Sequence, residues 1–294
     1  MIEIQNLTKT FGNVKAVNNL SVTINEGING LVGENGAGKS TLLRLIADVY
    51  QQDSGKILLD GNSHFNIDVK KNVFFLSDDP YYPNGATIEE TFEFYTTLFD
   101  LDEEVFKQLI TNLDLPRRRK VNTFSKGMRR QFFVAIALAS KAQYILLDEA
   151  FDGLDPLIMD LIKQTIAENA EKRTFVISSH NISSLERLCD TFIVLSKGQC
   201  ITNSNVEDIS ANYVKYQIIF KNKSVNKQTL ESLGINVVSF RKLGSICNVV
   251  FAGNKDIENL KATLETVLCE QIAIDPDEVI AIEMLNARKK KENK

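Results

Sequence analysis

Short apolar runs separated by turn residues recur along the first two thirds of the chain. Two of them, at positions 2–7 and 20–24, alternate apolar and polar side chains, as strands with one buried face do. Other runs predict short buried strands, at 28–32, 73–76, 144–147, 174–179 and 192–195. Helical stretches lie between several of these runs, so the pattern predicts an α/β fold.

A different pattern, with helical spacing, fills about 80–140. Thr87 and Glu90 form a capping box that predicts the start of a helix. A second helix is predicted from 102 to about 113, and Ser125 suits the N-cap of a third. We therefore expect a helical block inserted into the α/β pattern.

The C-terminal part of the chain has its own succession of elements. It predicts strands at 213–220, 237–240, 246–251 and 279–285, and helices at 226–233 and 256–268. The order β-α-β-β-α-β is that of a ferredoxin-like fold. We expect an accessory α+β domain at 213–285, with two helices on one sheet face. An exposed sheet face or edge would then be a surface for self-association or for regulating the rest of the chain.

Two polar segments flank this expected domain. The segment 202–212 lacks clear periodicity and predicts a linker, so the first domain should cover 1–205. The segment 286–294 predicts a basic tail, with Arg288, Lys289, Lys290, Lys291 and Lys294. The tail is either a solvated end or is attracted to an anionic membrane leaflet, by up to ~1 kcal/mol per basic residue.

The sequence GENGAGKST, residues 33–41, lies between a predicted strand and a predicted helix. Its glycines allow successive backbone N–H groups to point at one anion, and the helix behind it begins with unpaired N–H groups. Lys39 can reach the outer phosphates of a nucleotide, and the Ser40 hydroxyl can ligate Mg²⁺. A glycine turn without a ligand would explain the turn but not the Lys-Ser pair in register. The stretch predicts binding of a nucleoside triphosphate.

Three further polar residues end strands that we expect beside this loop. Asp148 and Glu149 follow the strand at 144–147, and His180 follows the strand at 174–179. Carboxyl ends of parallel strands meet at one edge of a sheet. Asp148 is suited to hold Mg²⁺ there, and Glu149 to orient or deprotonate a water. The alternative for Asp148 and Glu149 is a strand that simply runs into an acidic turn. His180 is either a structural histidine or a residue that touches the γ-phosphate.

Two other features allow more than one interpretation. Phe11 is either a core residue, as lone aromatics usually are, or a platform for an adenine ring. The basic run 117–120 is either a solvated connector or a nucleic-acid patch. The net charge of −4 provides no global basic field, which favours the connector.

Composition narrows the class of protein. The 294 residues are 44% hydrophobic and 24% charged, which is ordinary for globular chains and allows one large domain plus a smaller one. We expect no secretory signal, and the longest apolar run, 132–139, is far short of the ~20 residues that span a bilayer. The four cysteines form no C-x-x-C pair, which predicts free thiols in the cytoplasm rather than a zinc site.

Several separated motifs, in the order in which they follow one another along the chain, resemble those of the nucleotide-binding subunit of ABC transporters. The resemblance covers about residues 1–205. Residues 33–41 match its Walker A motif, and 144–149 match Walker B with the catalytic glutamate. Residues 124–128, FSKGM, match the LSGGQ signature in a variant of ABC-2-type exporters. The resemblance implies a P-loop NTPase fold of the ABC ATPase type, with a RecA-like core, an antiparallel β-subdomain and a helical subdomain at about 80–140.

The resemblance also implies a role for individual residues. The catalytic residues would be Glu149, His180 (the switch histidine) and Lys39. The ligands of Mg²⁺ would be Ser40, Asp78 and Asp148. The ATP-binding residues would be Phe11 (the adenine-stacking aromatic), Gly33, Asn35, Gly36, Gly38, Lys39, Ser40, Thr41, Ser125, Gly127, Met128 and Asp155 (in the D-loop).

Asp78 departs from the family pattern. The family usually has the Q-loop glutamine here, although an acid occurs in its drug and bacteriocin exporters. The resemblance implies that Asp78 ligates Mg²⁺ directly or through water, with a shorter and charged side chain.

The resemblance implies partners as well. In this family the helix that begins at Ser125 lies far from the phosphate loop of its own chain, so two copies pair head to tail around ATP. We expect a homodimer, or a pair with a similar ATPase subunit, and a separate transmembrane permease. The chain would lie at the cytoplasmic face of the membrane, bind no nucleic acid, and power export of drugs or of antimicrobial or amphipathic peptides.

Other ABC proteins and kinases are the competing classes. Translation-type ABC factors carry two cassettes, whereas this chain has a single Walker A motif. Chromosome-maintenance ATPases insert long heptad arms and DNA-repair ABC proteins carry zinc modules, and this sequence has neither pattern. A small-molecule kinase would not explain the signature. The motifs therefore favour a transporter ATPase.

Overall fold

The computed structural model describes residues 1–151, 153–180, 185, 188–253 and 255–292, without the side chains of 206 and 287–292. These residues form two compact units, Met1–Asn203 and Ser204–Lys294. Within the described ranges, no helix has the length and apolar character needed to cross a membrane.

Strands and helices follow one another along the described residues. The strands are β1 (Ile2–Phe11), β2 (Val14–Ile24), β3 (Gly27–Gly33), β4 (Ser54–Leu59), β5 (Asn62–Ser63), β6 (Val73–Leu76), β7 (Tyr144–Leu147), β8 (Thr174–Ser179), β9 (Thr191–Ser196), β10 (Gln199–Ser204), β11 (Val214–Phe220), β12 (Ser239–Leu243), β13 (Ile246–Phe251) and β14 (Thr266–Ile272). The helices are α1 (Lys39–Ile46), α2 (Ile67–Lys70), α3 (Ile88–Thr96), α4 (Glu103–Asn112), α5 (Lys126–Ala139), α6 (Pro156–Asn169), α7 (Val206–Ser210), α8 (Lys227–Ser232), α9 (Lys255–Thr263) and α10 (Pro276–Glu292), with a 3₁₀ turn at Val121–Thr123.

The first unit contains an antiparallel and a mainly parallel sheet. The antiparallel sheet has the order β2-β1-β4-β5. The other has the order β10-β9-β3-β8-β7-β6, and its strands from β9 to β6 run parallel to their neighbours. Parallel strands place their carboxyl ends at one edge, which brings the ends of β3, β6, β7 and β8 together. The predicted α/β fold is confirmed.

Helix α1 is anchored in the core next to that edge. Four of its apolar residues are 1% exposed or less: Leu42, Leu43, Leu45 and Ile46. They belong to one cluster with Leu31, Leu146 and Val176 of the parallel sheet. Full burial of such a side chain contributes about 1.5–3 kcal/mol. The loop between β3 and α1 is therefore held between two buried elements.

The helical block forms as the capping signals predict. Thr87 caps α3, because its backbone N–H donates to Glu90 Oε2 at 2.8 Å and its hydroxyl accepts from the Glu90 N–H at 3.3 Å. Stacked rings, 3.9 Å between centroids, join Phe92 of α3 to Phe106 of α4. Phe132 of α5 lies edge-on to Phe106. These aromatic contacts join the three helices in one core.

The second unit has the strand order β12-β13-β11-β14, with antiparallel neighbours. Two helices, α8 and α9, contribute Leu230, Ile257 and Leu260 to a core with Ile218 and Phe251 of the sheet. If the four strands are numbered by their order along the chain, their order across the sheet is 2-3-1-4. The succession of strands and helices from β11 to β14 is the β-α-β-β-α-β order that the ferredoxin-like prediction requires.

Several boundaries predicted for this unit are wrong. Residues 279–285 belong to α10, and the fourth strand is β14, whose first residues, 266–268, were predicted as the end of a helix. The alternation of Ile280, Ile282 and Met284 imitates a strand, but Pro276 followed by two acids begins a helix. The predicted linker contains α7 and the end of β10, and α10 extends through the predicted tail to Glu292. The basic side chains from 288 to 294 lie outside the described residues.

Helix α10 contacts the sheet face opposite α8 and α9. Successive residues of a strand point to opposite faces, so Lys215 of β11 lies on the face opposite Tyr216, which is in the core with α8 and α9. Lys215 Nζ pairs with Glu278 Oε2 of α10 at 2.7 Å. The expectation of an exposed sheet face is therefore wrong, and the alternative of an exposed edge stays a prediction.

Candidate active site

The phosphate-binding loop spans the gap between β3, which ends at Gly33, and α1, which begins at Lys39. Gly38 precedes the helix with φ +106°, a conformation that favours glycine. A Cβ atom there would lie 2.3 Å from the Ala16 carbonyl oxygen of β2. This close backbone approach leaves room only for glycine.

Lys39 is buried at the start of α1 and points back along the loop. Its side chain is 6% exposed, and its Nζ donates to the Gly33 carbonyl at 2.7 Å. The same Nζ lies 3.5 Å from Glu149 Oε1. Buried ammonium groups need such partners, so the lysine is fixed where β3 and β7 end.

Asp148 is the centre of a buried hydrogen-bond network. Its Oδ1 accepts from the Ser40 hydroxyl at 3.0 Å and from the Ser178 hydroxyl at 2.6 Å. Its side chain is fully buried, and its Oδ2 has no hydrogen-bond partner within the described residues. Burial raises the pKa of Asp148, and Asp78 adds to that effect, whereas both hydroxyls and Arg44 lower it.

Glu149 has an unusual backbone conformation, with φ +50°. A left-handed conformation costs a non-glycine residue about 1–2 kcal/mol and needs support from its surroundings. That support includes Ser178, whose hydroxyl accepts from the Glu149 N–H at 2.8 Å. The carboxylate lies between two potential donors, because Oε2 is 2.9 Å from His180 Nδ1 and Oε1 faces Lys39.

Asp78 follows β6 at the same sheet edge. Its Oδ1 accepts from the Arg44 guanidinium at 3.1 Å. Arg44 lies four residues after Ser40 on α1, and its guanidinium carbon is 5.9 Å from the centre of the Tyr50 ring.

Several of these residues line a cleft of about 770 Å³. One wall consists of the loop from Asn35 to Thr41, and another includes Asp78 and its neighbours. Glu149 and His180 also line the cleft, as do Lys126, Arg129 and Arg130 of α5. Its size suits a nucleotide-sized ligand. An unpartnered buried carboxylate oxygen beside a hydroxyl also fits Mg²⁺, which prefers oxygen ligands.

Six of the predicted ATP-binding residues do not line this cleft: Phe11, Gly33, Ser125, Gly127, Met128 and Asp155. Phe11 is 44% exposed, and its ring lies edge-on to Tyr50, with 5.4 Å between centroids. Ser125 caps α5 by accepting from the Met128 N–H at 3.1 Å. Asp155 caps α6 by accepting from the Leu157 N–H at 3.0 Å.

Two residues of the network were not predicted. Ser178 lies near the end of β8, two positions before His180. A hydroxyl at the end of a strand that leads into the site was the signal that could have identified it. Arg44 shares a helix face with Ser40, since residues four apart on a helix are neighbours. That spacing would have identified it once the acids were placed.

Comparison with known proteins identifies the family. A profile described as ABC transporter matches residues 17–152. The ABC transporter ATP-binding protein NatA of Bacillus subtilis is 32% identical over 210 residues, which cover 67% of this chain and 84% of NatA. The chain belongs to the ABC transporter ATP-binding proteins. ATP-binding domains of this family hydrolyse ATP to drive transport, so this ABC protein is an ATPase and ATP is its substrate.

Two further similarities concern the same part of this ABC protein. The lantibiotic transport ATP-binding protein SrtF of Streptococcus pyogenes is 29% identical over 227 residues, covering 74% of this chain and 99% of SrtF. A structure described as dimeric MJ0796, a bacterial ABC transporter cassette, superimposes with a TM-score of 0.61 at 23% identity. That match covers 70% of this chain and 98% of the cassette. It supports the ABC ATPase fold.

Proposed function

We propose that this ABC protein hydrolyses ATP with Glu149 as the catalytic carboxylate, in a head-to-tail dimer that powers export through a separate permease. The observation that carries the catalytic assignment is the position of Glu149. Its backbone is held in a left-handed conformation, and its carboxylate enters the cleft between Lys39 and His180. A carboxylate in this position is suited to orient and deprotonate a water.

The other residues at the sheet edge bind and orient the substrate. The glycine loop and Lys39 donate to the phosphates, which disperses the charge of the triphosphate. His180 orients Glu149 and contacts the γ-phosphate. Bound Mg²⁺ would supply charge neutralisation at the phosphates. Ser40 and Asp148 would hold it, with Asp78 as a further ligand, directly or through water.

The positions of the signature and D-loop residues support a composite site. Ser125, Gly127, Met128 and Asp155 lie off the cleft of their own chain. Ser125 nevertheless starts a helix whose N-terminus favours an anion. We propose that these residues bind the ATP of a second copy, as expected of a head-to-tail pair. A cassette of the same fold is described as dimeric, which supports the pairing of two copies.

The transport function is inferred from relatives. SrtF is named for lantibiotic transport, which supports peptide export as the process that this chain powers. We propose peripheral attachment to a permease at the cytoplasmic face of the membrane. The accessory role of the second unit and the boundary near residue 205 belong to the same proposal. Drugs and amphipathic peptides remain the proposed cargo classes.

Mixing two inactive variants tests the composite site. A Lys39→Ala chain and a Ser125→Arg chain should each be inactive as homodimers. In their heterodimer both changes fall on one site, so the other site is intact. With random pairing and independent sites, phosphate release should return to about a quarter of the wild-type rate.

The matched control mixes Lys39→Ala with Glu149→Gln. These changes damage both sites of the heterodimer, so this mixture should remain inactive. Heterodimer formation is measured by differential tagging and pull-down. A silent first mixture with proven heterodimers would contradict independent composite sites, and recovery in the control mixture would contradict the assignment of Lys39 and Glu149 to one site.

A further inference from the structure

Arg44 and Ser40 stand one above the other on α1 and contact different acids. Residues four apart lie on the same helix face. The Ser40 hydroxyl donates to Asp148, and the Arg44 guanidinium donates to Asp78 Oδ1 at 3.1 Å. One face of α1 therefore holds the acids that follow two different strands, β7 and β6.

The Arg44 side chain is more enclosed than its partner. It is 27% exposed, whereas Asp78 is 53% exposed. Its guanidinium also lies near the face of the Tyr50 ring, a favourable arrangement for a cation. Asp78 is thus the exposed member of the pair, and Arg44 is the member fixed by its surroundings.

The pair also has a consequence for charge. Glu149 lines the cleft and the buried Asp148 precedes it, and a nucleotide adds the negative charges of its phosphates. A glutamine at position 78 would add no charge, whereas an aspartate adds one more negative charge. The positive charge of Arg44 cancels the negative charge of Asp78, so the Arg44–Asp78 pair has no net charge, like a glutamine side chain.

We propose that Arg44 is a positioning residue for Asp78. It holds Oδ1 and neutralises the carboxylate, leaving Oδ2 as the oxygen available to Mg²⁺ or to a water bound to it. Arg44 thereby adapts the site to an acid at the Q-loop position. This inference rests on the proposed roles of Mg²⁺ and Asp78.

The test measures binding of fluorescent MANT-ATP to the full-length chain, with Mg²⁺ and with EDTA. The readout is the ratio of the two dissociation constants, EDTA over Mg²⁺. Arg44→Met leaves an uncompensated carboxylate, so the ratio should rise about three- to tenfold, the size expected of one charge at this range. Asp78→Asn should lower the ratio, and when it is combined with Arg44→Met the ratio should no longer rise above that of wild type.

Two variants keep the result interpretable. Arg241→Met removes an exposed arginine of β12 in the second unit and should leave the ratio unchanged. Arg44→Lys loses the planar group over Tyr50 but keeps the positive charge that sets the ratio. The ratio should therefore stay within about twofold of wild type, even if Arg44→Met does not fold. A loss of affinity that is equal with and without Mg²⁺, and that Asp78→Asn does not rescue, would overturn the inference. Wild-type binding that does not depend on Mg²⁺ would instead contradict the proposed metal role.

Discussion

The two units of this chain arrange polar side chains in opposite ways because their strands run in different directions. In the first unit, parallel strands end at one edge, where Glu149 contacts Lys39 and His180 and the neighbouring Asp148 accepts from Ser40. In the second unit, antiparallel neighbours end at opposite edges. Its pair Lys215–Glu278 joins a sheet to a helix.

The difference teaches where polar groups are available for chemistry. Asp148 is fully buried and keeps one oxygen without a partner in the described part of the chain, which is costly unless a ligand binds it. Lys215 and Glu278 are 15% and 9% exposed and are bound to each other. The first arrangement favours ligand binding, and the second favours a fixed structure.

The largest expected effect is on catalysis in the first unit. Glu149→Gln keeps the size of the side chain but removes the proposed base, so ATP turnover should fall by about 10²–10⁴-fold. MANT-ATP binding should persist, and ATP should trap a dimer visible by size-exclusion chromatography. Glu171→Gln, an exposed change in the turn before β8, is the control. Near-wild-type phosphate release from Glu149→Gln would contradict the assignment.

The next effect is on stability in the second unit. Lys215→Met leaves the carboxylate of Glu278 unpaired in a nearly buried position, which should destabilise this unit by about 3 kcal/mol. Urea unfolding followed by circular dichroism measures the change. Lys227→Met removes one member of the exposed pair with Glu231 and should cost less than about 1 kcal/mol. Equal effects of the two variants would show that burial of the pair does not matter.

The smallest effect is expected when the second unit is removed. A chain ending at Asn205 should bind MANT-ATP with unchanged affinity, because the described residues that line the cleft belong to the first unit. Dimer formation, measured by analytical ultracentrifugation with ATP, should change. A truncated chain that is folded by circular dichroism but no longer binds ATP would show that the second unit completes the site.

Much of the site was predictable because its positions follow from strand direction. A glycine loop after one strand and acids after another must meet if the strands are parallel and central. That argument predicts from the sequence alone that Lys39, Asp148, Glu149 and His180 lie close together. The partner of Asp78 was not predictable in this way, because it required the packing of α1 against the neighbouring strand end.

The errors occurred where local patterns were ambiguous. Apolar residues at 280, 282 and 284 fit a strand as well as a helix, and the N-terminal signal at Pro276 decided for the helix. The first residues of β14, 266–268, were assigned to the preceding helix, although that helix ends at Thr263. Its pairing with β11 is a long-range contact, which no local pattern reveals. Tertiary contacts therefore decided the strand, whereas a local signal decided the helix.

The left-handed backbone of Glu149 creates a conflict between catalytic activity and thermal stability. Glycine at this position would adopt φ +50° without the steric cost, a relief of about 1–2 kcal/mol for the folded state. That same change deletes the proposed base. Selection of variants by heat resistance alone would therefore enrich inactive chains at this residue, and an engineering screen of this ATPase should score hydrolysis together with melting temperature.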